Sequence, residues 1–539
     1  MDRSPLTATG WLLAAALIAF RLLPGLLQPG MFFDGVTHAT IARNLAIGVG
    51  DPWHPVFSTA DGAGYHEQPP LGFVLESFFF RAFGDRFWVE KLYSALTGVV
   101  TAVLIATIWR RLVGESALTP TLSQREREMR DCAWLPVALW VILPGWGWMY
   151  ENNLLENTLG MFAAFAVYAL LRAADSGRAA PAWLAAGAAG IAAAVLSKGP
   201  VGLFPLVTPL VAYCTLKRRT LARAVAENAA LVALVAAALW LICLLPGAAD
   251  YLDKYLHEQL FASLRGQREV VGSALGRFDI VWKMLKELIL PTTVAGGLIW
   301  GARRGVVRSR ESIPSASTSV HGGEAASNSL PLPLGEGRGE GATANRSALA
   351  FCLLTAASAS FPIVASPKQS GHYAFPSYAF YALAIALWCA PAVIQWMAGA
   401  GKPAAMIRRH RLLRYAAASV LALLGIATCA MAGRPHRDQG VYHDALVLGK
   451  ILPKSSIVGL TDDLANDWPL QTNLARWDFI GADLAAAHPY LLATAAAPPP
   501  TGFAEVPTEM SRYRLFKRAV DPGSIDSLRE TAAPPIPRQ

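Results

Sequence analysis

The stretch from Leu231 to Leu245, LVALVAAALWLICLL, runs fifteen residues without a charged, hydroxyl or amide side chain. A segment apolar on every face cannot be satisfied by burying one side, so lipid or the interior of a large helical bundle must surround it. The rest of the chain agrees. Of its 539 residues 54% are hydrophobic and only 16% charged, where a soluble protein carries about a quarter charged. The fold class is therefore an all-α polytopic membrane bundle.

Spanning a bilayer takes roughly 17–25 apolar residues. Segments of that kind begin near Leu6, Lys91, Cys132, Thr158, Pro181, Pro200, Ala229, Met284, Ser347, Ala374 and Leu413, which predicts about eleven spans. The first, from Trp11 to Leu27, is long for a signal peptide and is followed by no small-x-small site, so it reads as an uncleaved span. Arg21 within it should snorkel or face protein. Leu71–Phe83 is largely apolar but short, which favours a re-entrant or interfacial helix over a crossing.

With that assignment, the basic loops Arg110–Arg130, Arg172–Arg178, Lys217–Arg223, Arg303–Arg310 and Lys402–Arg414 all fall on one side. By the positive-inside bias that side is cytoplasmic. The expected location is a bacterial-type inner (plasma) membrane, with the N-terminus inside and the tail outside. This arrangement also accounts for the formal net charge of +9, and no basic stretch interleaved with aromatics suggests nucleic-acid binding. The six cysteines lie in or beside apolar segments without CxxC spacing, so packing is their expected role.

Residues 1–432 read as the membrane module, with a first outer loop over 28–70. Residues 433–539 read as a soluble extracytoplasmic α/β domain. The stretches 114–131 and 305–345 are polar, rich in Pro, Gly and charge, and read as disordered cytoplasmic insertions.

Ionisable residues near a membrane are costly and are functional candidates by default. On the outer side they include Asp34, His38, Arg43, Glu67, Glu156, Lys198, His257, Glu258, Arg265, Lys368 and His372. The phrase Phe33-Asp34-Gly35-Val36-Thr37-His38, continuing to Arg43-Asn44, follows span one directly. Tyr65-His66-Glu67-Gln68-Pro69-Pro70-Leu71 leads into the short apolar helix, Leu196-Ser197-Lys198-Gly199-Pro200 ends a span, and Ser366-Pro367-Lys368-Gln369-Ser370-Gly371-His372-Tyr373 precedes Pro376.

In this order and on one face, these phrases resemble the GT-C membrane glycosyltransferases, in the branch of lipid A aminoarabinose transferases and protein O-mannosyltransferases. The resemblance runs over roughly residues 10–400 and leaves the tail unmatched. It departs at Gly35, where the family has a second acid; at Thr37 and His38, where it has Arg and Tyr; and at Gln68, where it has Lys. Glu156 sits where the family usually has Asp. A Glu-His phrase that belongs to a metal site in some relatives reads Glu258-Gln259 here, and a divalent metal stays open.

The resemblance implies transfer of a sugar from a polyprenyl-phosphate donor to lipid A, a glycolipid, a glycan or a protein, with inversion. Breaking the anomeric bond creates an oxocarbenium-like transition state and builds negative charge on the departing phosphate. Fixed cations stabilise that charge, and a carboxylate takes the proton of an attacking hydroxyl. The expected catalytic residues are Asp34, Glu67 and Glu156. Lys198, Lys368 and Arg265 are expected to bind the donor phosphate, and His38, Arg43, Tyr65, His372 and Tyr373 the substrates. Each has a plainer alternative: Asp34 and Glu156 as helix caps, Glu67 as a partner of backbone amides, Lys198 as a snorkelling span end. The other readings of the whole chain are a secondary transporter or lipid flippase, and a scaffold presenting the tail.

Overall fold

The computed structural model describes residues 5–58, 64–114, 124–217, 219–267, 276, 278–311, 340–367, 369–398, 403–484 and 488–519. Among the described residues the regular structure of the membrane module is helical apart from one short hairpin in the first loop. Its first half contains α1 (Pro5–Leu26), α2 (Phe33–Ala46), α3 (Leu71–Phe83), α4 (Phe87–Gly114), α5 (Gln124–Asp131), α6 (Trp134–Val141), α7 (Trp146–Glu151), α8 (Leu155–Asp175) and α9 (Ala180–Lys198). A 3-10 stretch, Pro200–Val207, then leads to α10 (Thr208–Leu216), α11 (Leu221–Cys243) and α12 (Ala248–Lys254). A π-helical turn, Tyr255–Phe261, joins α12 to α13 (Ala262–Leu264), and α14 (Asp279–Glu311), α15 (Glu340–Ser360), α16 (Phe375–Met397) and α17 (Pro403–Met431) complete the bundle.

Among the described residues eight helices are long and apolar enough to cross a membrane: α1, α4, α8, α9, α11, α15, α16 and α17. The other three expected spans are helical but interrupted or charged. Pro144-Gly145 breaks the third between α6 and α7, the sixth divides into the 3-10 stretch and α10, and α14 carries Asp279, Lys283, Lys286 and Glu287 at its start. The backbone freed at the break is satisfied from the bundle, as non-helical backbone at membrane depth requires. Arg21 donates to the carbonyls of Leu143 (3.2 Å) and Pro144 (2.6 Å), and Glu287 Oε2 accepts from the Gly145 amide at 2.7 Å. Arg21 thus faces protein. Lys91 likewise donates to the carbonyls of Gly25, Gln28 and Gly30 where α1 ends.

The expectation of disorder over 114–131 is corrected in part: Gln124–Asp131 is helix α5. Glu126 and Arg130 stand four apart there, a stabilising spacing, and Met129 turns inward with its carbonyl accepting from the Trp109 indole at 2.9 Å. Helices α14 and α15 also reach into the expected insertion 305–345, whose centre lies outside the described residues.

The tail is a small α/β unit. Helices α18 (Gln439–Ile451) and α19 (Trp468–Asp478) accompany a five-stranded sheet of β3 (Ile457–Leu460), β4 (Gly481–Asp483), β5 (Tyr490–Thr494), β6 (Phe503–Val506) and β7 (Tyr513–Arg518). The two earlier strands, β1 (Gly50–Asp51) and β2 (His54–Pro55), form a short hairpin in the first loop. The tail sheet runs β4-β3-β5-β7-β6, parallel between β3 and its neighbours and antiparallel beyond β5.

Helix α19 docks on the membrane module through fully buried Arg476. Its guanidinium donates to Glu90 Oε2 (2.9 and 3.2 Å) and Asp85 Oδ1 (2.7 Å). Arg43 on α2 donates to Asp85 Oδ2 (3.3 Å) and to the Ala475 carbonyl (3.0 Å), and lies 3.7 Å over the Phe479 ring.

Candidate active site

The centre of the site follows from an antiparallel helix pair. Helix α8 begins at Leu155 and α9, folded back against it, ends at Lys198, so the first turn of one meets the last turn of the other. An acid suits a helix start and a base a helix end, and Glu156 and Lys198 occupy those positions. Lys198 Nζ lies 2.8 Å from Glu156 Oε1, with the two side chains 11% and 2% exposed. Gly199 (φ 92) stops α9, and a Cβ there would stand 2.0 Å from the Tyr255 hydroxyl, so the π-helical turn closes over this helix end only because the residue is glycine. The Tyr255 hydroxyl reaches within 3.5 Å of the Lys198 carbonyl.

Two further elements complete the cluster. The short 3-10 turn Gly371–Ala374 brings His372 Nε2 to 3.6 Å from Glu156 Oε1 and sets the Tyr373 ring 5.7 Å from Lys198 Nζ, within cation–π range. Helix α2 supplies Asp34 and His38. The Asp34 carboxylate is close enough to contribute to the field at Lys198, and Lys198 to the field at His38. Burial, with the Lys198 cation beside it, pushes the His38 pKa down to about 3, so its imidazole is neutral. Asp34 lies inside the first turn of α2, and the N-cap residue is Phe32, with no side-chain cap bond.

The departure at Gly35 has a steric cause. A Cβ on Gly35 would lie 1.9 Å from the carbonyl oxygen of Asn152, so α2 packs on the turn before α8 at a separation that excludes a second acidic side chain.

Asp34, His38, Glu156, Lys198, His372 and Tyr373 therefore share one locus. Arg43, expected to bind substrate, is 2% exposed and occupied by Asp85, Ala475 and Phe479 of the tail contact. Tyr65 packs its ring edge on Phe73, 5.8 Å away, in an apolar cluster with Ile41 and Leu155. Glu67 is exposed, in a phrase held on α12 where the Tyr251 hydroxyl donates to the Gln68 carbonyl at 2.5 Å. Arg265 is exposed just after α13, and Lys368 lies outside the described residues.

Tyr255, Glu76 and Asn153 were not expected. Glu76, an acid inside the apolar run Leu71–Phe83, carried a signal; Tyr255 and Asn153 carried none.

A divalent metal does not fit the cluster. Glu156 is already paired with an ammonium that would repel a cation, and His257 pairs with Asp253 at 3.2 Å in the turn after α12. Among the described residues no group of three or more His, Cys, Asp or Glu is placed to hold a metal ion.

Comparison with known proteins agrees with this picture. Residues 125–242, the segment that contains Glu156 and Lys198, match the family described as dolichyl-phosphate-mannose-protein mannosyltransferase. No curated protein matches the chain. Among solved structures it is similar to ArnT from Cupriavidus metallidurans bound to undecaprenyl phosphate, at 16% identity and a TM-score of 0.55, over 94% of this chain and 98% of that one. The apo form of the same protein matches at 15% identity with the same TM-score and coverage. A match over 94% of the chain takes in most of the tail, which the sequence resemblance had left out. The chain is a multi-pass membrane protein that shares the GT-C fold of ArnT, a helical bundle with a small α/β tail.

Proposed function

We propose that the chain transfers a sugar from a polyprenyl-phosphate carrier to an acceptor hydroxyl at the outer face of the cytoplasmic membrane, with inversion at the anomeric carbon. The carrying observation is Lys198: a largely buried cation at a helix end, beside Glu156, His372 and Tyr373, with the Asp34 carboxylate within electrostatic reach. In the proposed step Asp34 takes the proton of the acceptor hydroxyl, whose oxygen attacks the anomeric carbon from the face opposite the phosphate. The carbon–oxygen bond to phosphate breaks, and its electron pair leaves on the phosphate. That group gains a second negative charge, which Lys198 stabilises with His372 and Tyr373 alongside. Glu156 keeps Lys198 charged and oriented between turnovers.

The segment match to a mannosyltransferase family that uses a lipid-phosphate sugar supports this reading, as does the fold shared with a protein captured with undecaprenyl phosphate.

The test uses purified protein in proteoliposomes supplied with radiolabelled polyprenyl-phosphate-linked hexoses and pentoses and with envelope lipid and glycan acceptors. Asp34→Asn should abolish transfer while leaving binding of polyprenyl phosphate intact. Undiminished transfer by this variant would remove the base, and with it the hydroxyl acceptor, from the proposal.

A further inference from the structure

Glu76 sits on the apolar helix α3 and is 1% exposed, and the proposed transfer step makes no use of it. Its Oε1 accepts from Asn153 Nδ2 at 2.8 Å, and its Oε2 has no hydrogen-bond partner among the described residues. Burial pushes the carboxyl well above its ordinary range. Asn153 stands in the left-handed region at φ 48, which Asn tolerates better than most residues. With its side chain tied to Glu76, its backbone carbonyl is aimed at His38 Nδ1, 3.3 Å away.

A carbonyl can only accept, so Nδ1 carries the ring proton and Nε2 keeps its lone pair. The ring is 2% exposed, packs 5.6 Å from the Phe73 ring, and lies in the field of Lys198, Glu156 and His372. It stands one helical turn beyond Asp34 on α2, on the same face. A phosphate oxygen has no proton to offer this lone pair, whereas a sugar hydroxyl does.

We propose that Glu76, Asn153 and His38 form a positioning relay that presents His38 Nε2 as a fixed hydrogen-bond acceptor to a hydroxyl of the donor sugar. His38 is the contacting residue; Glu76 and Asn153 act through it. The relay explains why an imidazole stands here in a chain that otherwise resembles a family with Arg and Tyr at Thr37 and His38. The proposal rests on the transferase reading of the same pocket.

Glutamine and asparagine separate the two ring nitrogens, because the Gln side-chain tip reaches the position of Nε2 and the Asn tip only that of Nδ1. With polyprenyl-phosphate-linked hexoses and pentoses in proteoliposomes, His38→Gln should keep kcat/KM within about tenfold of wild type. His38→Asn and His38→Phe should each lose about a hundredfold, the cost of an unpaired sugar hydroxyl. Glu76→Gln, which can still accept from Asn153, should stay near wild type, and Glu76→Leu should fall with His38→Asn. Inhibition by sugar-free polyprenyl phosphate should be unchanged in all five variants, a readout that a folding defect would move.

Equal losses in His38→Gln and His38→Phe, or inhibition weakened in step with transfer, would overturn the relay. Full activity in His38→Phe beside an inactive Lys198→Ala would overturn the relay and leave the transferase standing. Full activity in both would bring down the reading beneath it as well.

Discussion

The site is built on a charge pair that is costly to break. Lys198→Ala would leave the Glu156 carboxylate, 2% exposed, with His372 but no ammonium beside it. Stranding one partner of a buried pair costs about 3–5 kcal/mol, so a lower melting temperature in detergent is expected together with loss of transfer. Glu156→Gln should cost less, because an amide can still accept from the ammonium. His38 predicts a pH effect of definite sign. Its pKa is about 6.5 when unfolded and about 3 when folded. The unfolded chain therefore binds more protons between those values, and stability present above about pH 6.5 is lost as the pH falls toward 3. Thermal melts from pH 7.5 to 5 should show this decline, and His38→Gln should flatten it. Asp34, Glu156, Lys198 and His372 were legible in the sequence because a charge beside a membrane span stands out. Arg43 stood out for the same reason, but its partners, Asp85 and Ala475, are too distant in sequence for local pattern to reveal. Glu76 was absorbed into an apolar run, and Asn153 matters through a backbone carbonyl, which no side-chain pattern reports.

Among the elements, the α8–α9 pair and the packing of α2 determine the geometry. The spans were legible because apolar length is a direct signal, and the breaks were less so. Pro144-Gly145 marks one in the sequence, yet only the structure shows Arg21 and Glu287 satisfying the exposed backbone there. Helix α5 was missed because a polar, charged stretch with no apolar stripe reads as coil until Met129 is seen packed inward. Gly35 offers the sharpest element-scale test. Gly35→Ala places a methyl 1.9 Å from the Asn152 carbonyl, a backbone atom that cannot swing aside. Overpacking of this kind costs about 1–3 kcal/mol, and displacing α2 moves Asp34 and His38 with it. Transfer should fall at least tenfold with a lower melting temperature; wild-type behaviour would mean that α2 does not pack as described.

At the level of the whole molecule, buried ion pairs join the tail to the bundle. Its α/β character was legible from short apolar stretches such as Ser456–Leu460, but its docking was not. Arg476 had no local mark of importance, and its partners Asp85 and Glu90 lie nearly four hundred residues earlier. Arg476→Ala would strand Glu90 in a buried position at a cost of about 3–5 kcal/mol. Limited proteolysis should then release the tail far faster than in wild type, and Arg476→Lys should fall between. Deleting 433–539 would strand the same groups, so loss of activity on deletion would not by itself mark the chain as a scaffold.

In the proposed reaction Lys198 stabilises the phosphate leaving group of a lipid-linked sugar. Single-turnover transfer in proteoliposomes at saturating donor, comparing wild type, Lys198→Arg and Lys198→Ala, isolates that role. A hundredfold or greater loss of rate is expected for Lys198→Ala, the size of effect typical of removing one group aimed at developing charge, with partial retention in Lys198→Arg. A Lys198→Ala protein that folds and turns over at the wild-type rate would contradict it.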